Sequence, residues 1–342
     1  MSTDLPTRFR DGKVPALARA ISITEDQRDG FEELLHELLR AGPQAKRVGL
    51  TGPPGAGKSS LLALVANAYR ALDERVGIVA VDPTSPYSGG ALLGDRIRMN
   101  DLATDPGIFI RSMASRGSLG GLATTTKEVL DVMDAFGFER ILVETVGVGQ
   151  TELEITAAAD TVVVVLVPES GDAVQAMKAG LMEIADIFVV NKADRPGAGR
   201  LAKEIRQALH LRAGEALHDV PAHHGVDLQN VPLELRPESS GDSERWEIPV
   251  LETNALDGAG IPDLVAAIGD HRAWLEGSGE LAARRRHRTR GRVQDVVQRE
   301  MRRVAWASDE VRRSLDEGVR GIERGEGTPY SVARDLLALL LR

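Results

Sequence analysis

The chain contains no cysteine among its 342 residues. That excludes a disulfide framework, a thiol nucleophile and any cysteine-ligated metal or iron–sulfur site. A basic excess is missing too: 42 Lys and Arg stand against 51 Asp and Glu, for a net charge of −9. This balance argues against general nucleic-acid binding, so nucleic acid is not an expected partner. No apolar run reaches the ~18 residues of a membrane-spanning helix, so no membrane partner is expected either. The opening stretch MSTDLPTRFRDGKVPALARA lacks the apolar centre of a secretory signal, and the expected compartment is the cytoplasm. No internal repeat on the scale of roughly 20–50 residues is visible. What remains is an ordinary globular profile, 42% hydrophobic, 27% charged and 4% aromatic. The length suits one large domain with appendages, or two domains.

Short apolar runs rich in Val and Ile recur at 47–52, 76–82, 107–113, 140–147, 161–168, 187–194 and 248–255. Most lack period-two alternation, and TVVVVLVP is apolar throughout, as a strand covered on both faces must be. Between them lie helix-like stretches such as SSLLALVANAYRAL and GLATTTKEVLDVMDAF. Strand alternating with helix predicts an α/β fold with a mainly parallel sheet flanked by helices. Residues 1–45 read as an N-terminal helical extension, with Leu34, Leu35, Leu38 and Leu39 on one stripe. Residues 46–276 read as the sheet domain, with a Pro-, Gly-, Ser- and His-rich insertion at about 212–247. Residues 277–342 read as a C-terminal helical arm. There Val293, Val296, Val297, Met301 and Val304 keep helical spacing, as do Val311, Leu315, Val319 and Ile322. Such broad stripes on a short tail need a covering surface, either the sheet domain or, as the first expectation, a second copy, hence a homodimer.

The strongest motif is Gly52-Pro53-Pro54-Gly55-Ala56-Gly57-Lys58-Ser59, directly after the run RVGLT and directly before a helix pattern. This is the phosphate-binding P-loop in its required context. Its glycines let backbone N–H groups turn toward phosphate oxygens, and the following helix N-terminus adds partial positive charge. Lys58 can reach the β- and γ-phosphates, the Ser59 hydroxyl can ligate Mg²⁺, and Ser60 is placed for the α-phosphate.

A second motif selects the base. Asn191-Lys192-Ala193-Asp194 ends a buried run and matches the guanine-reading pattern NKxD. One carboxylate at Asp194 can accept from guanine N1–H and the 2-amino group together, a donor pair that adenine lacks. The Lys192 stem can cover the base plane, and Asn191 can tie this loop to the P-loop. Asn254, Ala255 and Leu256, after Thr253, form a further loop whose backbone N–H groups could meet guanine O6.

Phosphoryl transfer needs a metal, a placed water and fixed electrostatics. Asp82, Asp95 and Glu144 sit at strand ends or just after them, and with Ser59 they are the candidate Mg²⁺ ligands. Asp82, with Lys58, is the first candidate for the catalytic role, by aligning the attacking water. Gly147 could offer its N–H to the γ-phosphate. Segments 83–94, 147–151 and 169–178 are candidates for ordering by that phosphate.

Taken together, VGLTGPPGAGKSS, VAVDPTSPYSGGALLGDRIRM, FIRSMASRGSLGGLA, ILVETVGVGQTE and GDAVQAMKAGLMEIADIFVVNKAD resemble the MeaB/ArgK family of P-loop GTPases, of the SIMIBI class. The matching stretches span roughly 47–194. The resemblance implies a homodimeric, GTP/GDP- and Mg²⁺-binding GTPase that serves as chaperone to an adenosylcobalamin-dependent acyl-CoA mutase, typically methylmalonyl-CoA mutase. It implies Mg²⁺ contacts from Ser59, Asp82, Asp95 and Glu144, and a partner-facing third switch at 169–178 that includes Gln175 and Lys178. It also assigns the C-terminal helices to dimerisation.

Three features stand apart. The insertion is longer than the family usually has and, with the stretch before it, holds His210, His218, His223 and His224 without clustered acids, a weak metal signal. Residues 284–303 carry nine arginines, beginning RRRHRTRGR, which read first as a solvated helix face beside an interface, with contact to an acidic partner surface as the alternative and RNA disfavoured by the overall acidity. Competing functions are a GTPase metallochaperone for another metalloenzyme, which would need a Cys/His cluster, and a P-loop kinase, which the guanine loop disfavours.

Overall fold

The seven apolar runs become seven strands. The computed structural model describes residues 4–42, 44–82, 102–114, 124–145, 155–168, 180–212 and 245–340. Among these, β1 is Lys46–Thr51, β2 Val76–Asp82, β3 Ile108–Ala114, β4 Arg140–Thr145, β5 Thr161–Leu166, β6 Ile187–Asn191 and β7 Val250–Thr253. They form one sheet in the order β3-β2-β4-β1-β5-β6-β7, every neighbouring pair parallel. Strands β2 to β4 build out on one side of β1 and β5 to β7 on the other. The chain therefore reverses its direction of growth at β1, where a crevice opens beyond the strands' carboxyl ends.

Burial follows from that order. The central strands β4 and β5 are buried at every residue, which is why their sequences do not alternate. Within β5 the side chains still divide by twos. Val163 and Val165 join the core on one face and Val162 and Val164 the core on the other. On the first face, α4 (Lys58–Ala71) contributes Leu61, Leu62, Val65 and Tyr69. Leu264 and Ile268 of the later helix Ile261–Gly277 join it there. The second face carries α1 (Leu5–Arg10), α2 (Val14–Glu25), α3 (Phe31–Leu38), α5 (Thr124–Phe136) and α7 (Ala198–Arg212), while the four-residue α6 spans Leu181–Ile184. The helix Ile261–Gly277 is α8.

The N-terminal helices belong to this core rather than decorating it. Phe9 meets Phe136 edge to face at 5.0 Å, and Leu17, Ile21 and Leu34 are buried with Val129 and Met133 of α5. The entrance to β1 is tied to the same helix by charge. Arg47 reaches Asp131 and Asp134, each at 2.8 Å. Burial disfavours the Arg47 charge, but the two carboxylates outweigh it and hold its pKa above the ordinary arginine value.

By its contacts the chain divides into Met1–Arg284 and Arg285–Arg342. Long α9 (Glu280–Ala307) has no buried residue, and it is followed by α10 (Asp309–Glu323) and α11 (Pro329–Leu340). Ser308 caps α10, its Oγ accepting from the Val311 N–H. The last two helices pack through Gly318, where a Cβ would lie 2.5 Å from Val332 Cγ1. Among the described residues no helix is long and apolar enough to cross a membrane.

Candidate nucleotide site

The carboxyl ends of β1, β4, β6 and β7 bring most of the candidate residues to one edge of the sheet. Beyond Thr51 the chain must turn at once, because a Cβ on residue 52 would sit 2.1 Å from the Val165 carbonyl oxygen. Gly52 meets this with φ +136°, and Gly57 at φ +84° delivers the chain into α4. Pro53, Pro54, Gly55 and Ala56 lie between, with Ala56 buried and Pro54 and Gly55 exposed. The resulting loop opens onto a helix N-terminus, the standing arrangement for an anion. Lys58 is buried, and its Nζ donates to the carbonyls of Gly52 and Pro53 at 2.8 and 2.9 Å. The charge is thus held across the mouth of the loop. Ser60 is half-buried in the first turn of α4.

Ser59 and Glu144 meet although they are 85 residues apart. The Ser59 hydroxyl donates to Glu144 Oε1 at 2.7 Å, and both residues are buried. A hydroxyl and a carboxylate side by side at the loop's floor form a hard-oxygen pair that fits Mg²⁺. Asp82 ends β2 at the same edge of the sheet. Asp95, Gly147 and the segments 83–94, 147–151 and 169–178 lie outside the described residues, as does the insertion from 213 to 244.

Asn191 joins the two halves of the site. Its Nδ2 donates to the Ala56 carbonyl at 2.8 Å, while its Oδ1 accepts from the Thr253 hydroxyl and from the Ala255 N–H, each at 3.2 Å. Gly57 leaves room for this brace, since a Cβ there would lie 2.4 Å from that same Nδ2. Lys192 follows in the left-handed region at φ +58°, a conformation costing a non-glycine residue roughly 1 kcal/mol. That turn leaves Lys192 half-buried and Asp194 exposed, with the Ala193 N–H bonded to the Thr253 carbonyl. The loop after β7 is closed by its own side chains: Asn254 Nδ2 donates to Asp257 Oδ2 at 2.9 Å, and the Leu256 N–H donates to Asn254 Oδ1 at 3.1 Å. The Ala255 and Leu256 amides, expected to face guanine O6, are thus engaged by side-chain oxygens in this structure. The Leu256 side chain is 91% exposed.

In the sequence Thr253 is named only as the start of the base loop, and Thr51 and Thr145 are not singled out. Thr253 is buried and fixes the orientation of the Asn191 amide. The signal for it is register, since Thr253 pairs with Asn191 across β6 and β7. Thr51 and Thr145 also meet, hydroxyl to hydroxyl, at 3.0 Å. Among the described residues no group of three His, Asp or Glu side chains is placed to hold a metal ion by itself.

A glycine loop between β1 and a helix, at the switch point of an all-parallel sheet, with Asn-Lys-x-Asp closing a neighbouring strand, defines the P-loop GTPase class. Within that class, the family model described as methylmalonyl-CoA mutase-associated GTPase MeaB matches residues 17–310, and the chain belongs to this family of GTPases. A relative from Pyrococcus abyssi is 43% identical over 337 residues, 98% of this chain and 96% of the relative. GTPase ArgK of Escherichia coli is 31% identical over 333 residues, covering 96% of this chain and 93% of its own length. The mouse protein named methylmalonic aciduria type A homolog, mitochondrial, is 31% identical over 350 residues, 97% of this chain and 78% of that protein. A crystal structure of an LAO/AO transport system kinase superposes with a TM-score of 0.69 at 24% identity, over 100% of this chain and 99% of that one, and shows the same fold.

Proposed function

We propose that this GTPase is a cytoplasmic chaperone of an adenosylcobalamin-dependent acyl-CoA mutase, methylmalonyl-CoA mutase or a related enzyme, gating cofactor loading by GTP binding and hydrolysis. The observation that carries the nucleotide reading is the Asn191 brace, which places the base-reading loop against the phosphate loop at a bond of 2.8 Å. The mutase as partner is supported by the description of the matching family and by the name of the mouse relative.

On this reading GTP or GDP lies with its phosphates against residues 52–60 and its base against Asn191, Lys192 and Asp194. Lys58 holds positive charge where the β- and γ-phosphates would lie, and Ser59 and Glu144 hold Mg²⁺, with Asp82 and Asp95 completing the acidic set. When bound, the metal supplies the charge that offsets the phosphate oxygens. Asp82 aligns the attacking water, and Gly147 senses the γ-phosphate. The loop of Asn254, Ala255 and Leu256 closes on the base.

The arm from residue 277 onward makes the homodimer. In support, Val293, Val297, Met301 and Val304 of α9 are exposed at spacings of one helical turn. A lone soluble helix rarely shows such a row to water.

The function is tested by following GTP hydrolysis with and without purified acyl-CoA mutases, together with affinity capture from native extract. Recovery of a mutase and a change in turnover on adding it support the reading. Recovery of a hydrogenase or urease, with no effect of any mutase, contradicts it.

A further inference from the structure

The loop that joins β7 to α8 is buried at its two flanks, Thr253 and Ile261, while Leu256, Asp257 and Ala259 between them are exposed. Packing therefore cannot hold its middle, and a loop left unfixed would spread over many conformations. Polar bonds hold it instead, and Asn254 takes part in most of them. Its backbone N–H donates to the Ala259 carbonyl at 3.0 Å, and its carbonyl accepts from the Gly258 N–H at 2.9 Å. Its Oδ1 accepts from the Leu256 N–H at 3.1 Å, and its Nδ2 donates to Asp257 Oδ2 at 2.9 Å. The other carboxylate oxygen of Asp257, Oδ1, accepts from the Ala259 N–H at 2.9 Å. Asp257 thus clasps the loop from the side opposite Asn254, one oxygen for each arm.

The clasped loop is also fixed in place. The Ala255 N–H donates to Asn191 Oδ1 at 3.2 Å, and the Thr253 carbonyl accepts from the Ala193 N–H at 3.0 Å. Both bonds reach the Asn-Lys-x-Asp segment, so Ala255 and Leu256 are presented beside Lys192 and Asp194. A loop whose shape exists before its ligand arrives loses little freedom on binding, whereas a loop that must first be ordered lowers affinity by the fraction of time it is unformed.

We infer that Asp257, through its bond to Asn254, holds the base loop in its binding shape before nucleotide arrives and thereby sets guanine-nucleotide affinity. Asp257 is a positioning residue, since it acts through Asn254 and the Ala259 amide and is not itself assigned to the base. The inference rests on the nucleotide reading above and deepens it at the base end of the site.

The test exchanges the two side chains in the full chain. In Asp257→Asn two amide nitrogens face each other, and in Asn254→Asp two carboxylates do, so each single variant loses the bond. The double variant restores donor against acceptor with the parent's net charge, and a carboxylate at 254 still accepts from the Leu256 N–H. GDP affinity is expected to fall about fivefold or more in each single variant, the factor that one net hydrogen bond carries, and to return to within about twofold of the parent in the double variant. Hydrogen exchange of the Gly258 and Ala259 amides in the nucleotide-free chain should quicken at least about fivefold in the single variants, and slow again in the double variant and in the single variants saturated with GDP. Single variants that bind GDP as the parent does, a double variant no better than the singles, or amide exchange unchanged in the nucleotide-free singles would each overturn the inference while leaving the nucleotide reading in place. A parent chain that binds no guanine nucleotide overturns the nucleotide reading, and the inference with it.

Discussion

Asn191 and Ala56, 135 residues apart, are joined by a hydrogen bond of 2.8 Å from the asparagine Nδ2 to the alanine carbonyl. The bond makes the end of β6 a brace for the phosphate loop. Through the Asn191 Oδ1, the same side chain also holds Thr253 and the Ala255 amide. Asn191→Ala removes these three bonds at once, and at ~1 kcal/mol each guanine-nucleotide affinity should fall by about two orders of magnitude. Equilibrium titration of GDP reads this directly. An affinity within a factor of about three of the parent would remove the brace from the account.

On the proposed reading Asp194 carries the base selection. Asp194→Asn keeps the size of the side chain but replaces one acceptor oxygen by a donor, which faces a guanine donor and matches the carbonyl of xanthine. Affinity for GTP should drop by roughly 10- to 100-fold while affinity for xanthosine triphosphate rises. Competition binding with the two nucleotides checks the exchange, and an unchanged preference contradicts the assignment.

On the proposed reading the Ser59–Glu144 pair, bonded at 2.7 Å, sets the metal requirement. With Ser59→Ala or Glu144→Gln the Mg²⁺ concentration for half-maximal hydrolysis should rise by at least about tenfold. GDP binding in the absence of metal should survive. A magnesium titration of turnover is the measurement, and parent-like behaviour in both variants would place the metal elsewhere.

On the proposed reading the exposed row on α9 sets the assembly. Val297→Asp together with Met301→Asp puts charge on its middle and should convert a two-chain species to a one-chain species by sedimentation equilibrium, with GDP binding retained. A parent chain that sediments as a monomer would contradict the homodimer outright.

The sheet was legible in the sequence because each strand announces itself locally. Val162 to Leu166 is so continuously apolar that only a doubly covered strand accommodates it, and the P-loop glycines are demanded by backbone geometry within eight residues. Within the helical extension expected over 1–45, the separate short helix α1 left no pattern of its own. Its Leu5 and Phe9 make a single i, i+4 pair, too short a pattern to register, and only the contact with Phe136 shows their worth. The strand order that sets Ser59 beside Glu144 was likewise hidden, since contacts between residues 85 apart leave no local mark. The supporting residues of the site were hardest to see. Thr253, Thr51 and Thr145 look like ordinary β-branched strand residues until register brings their hydroxyls to a partner.

Calorimetric titration of the purified chain with GTP, GDP, ATP and ADP in the presence of Mg²⁺ tests the central claim most directly. The account predicts saturable heats for both guanine nucleotides and none for the adenine pair. Equal heats for adenine and guanine nucleotides, or no heat from any of them, would contradict it.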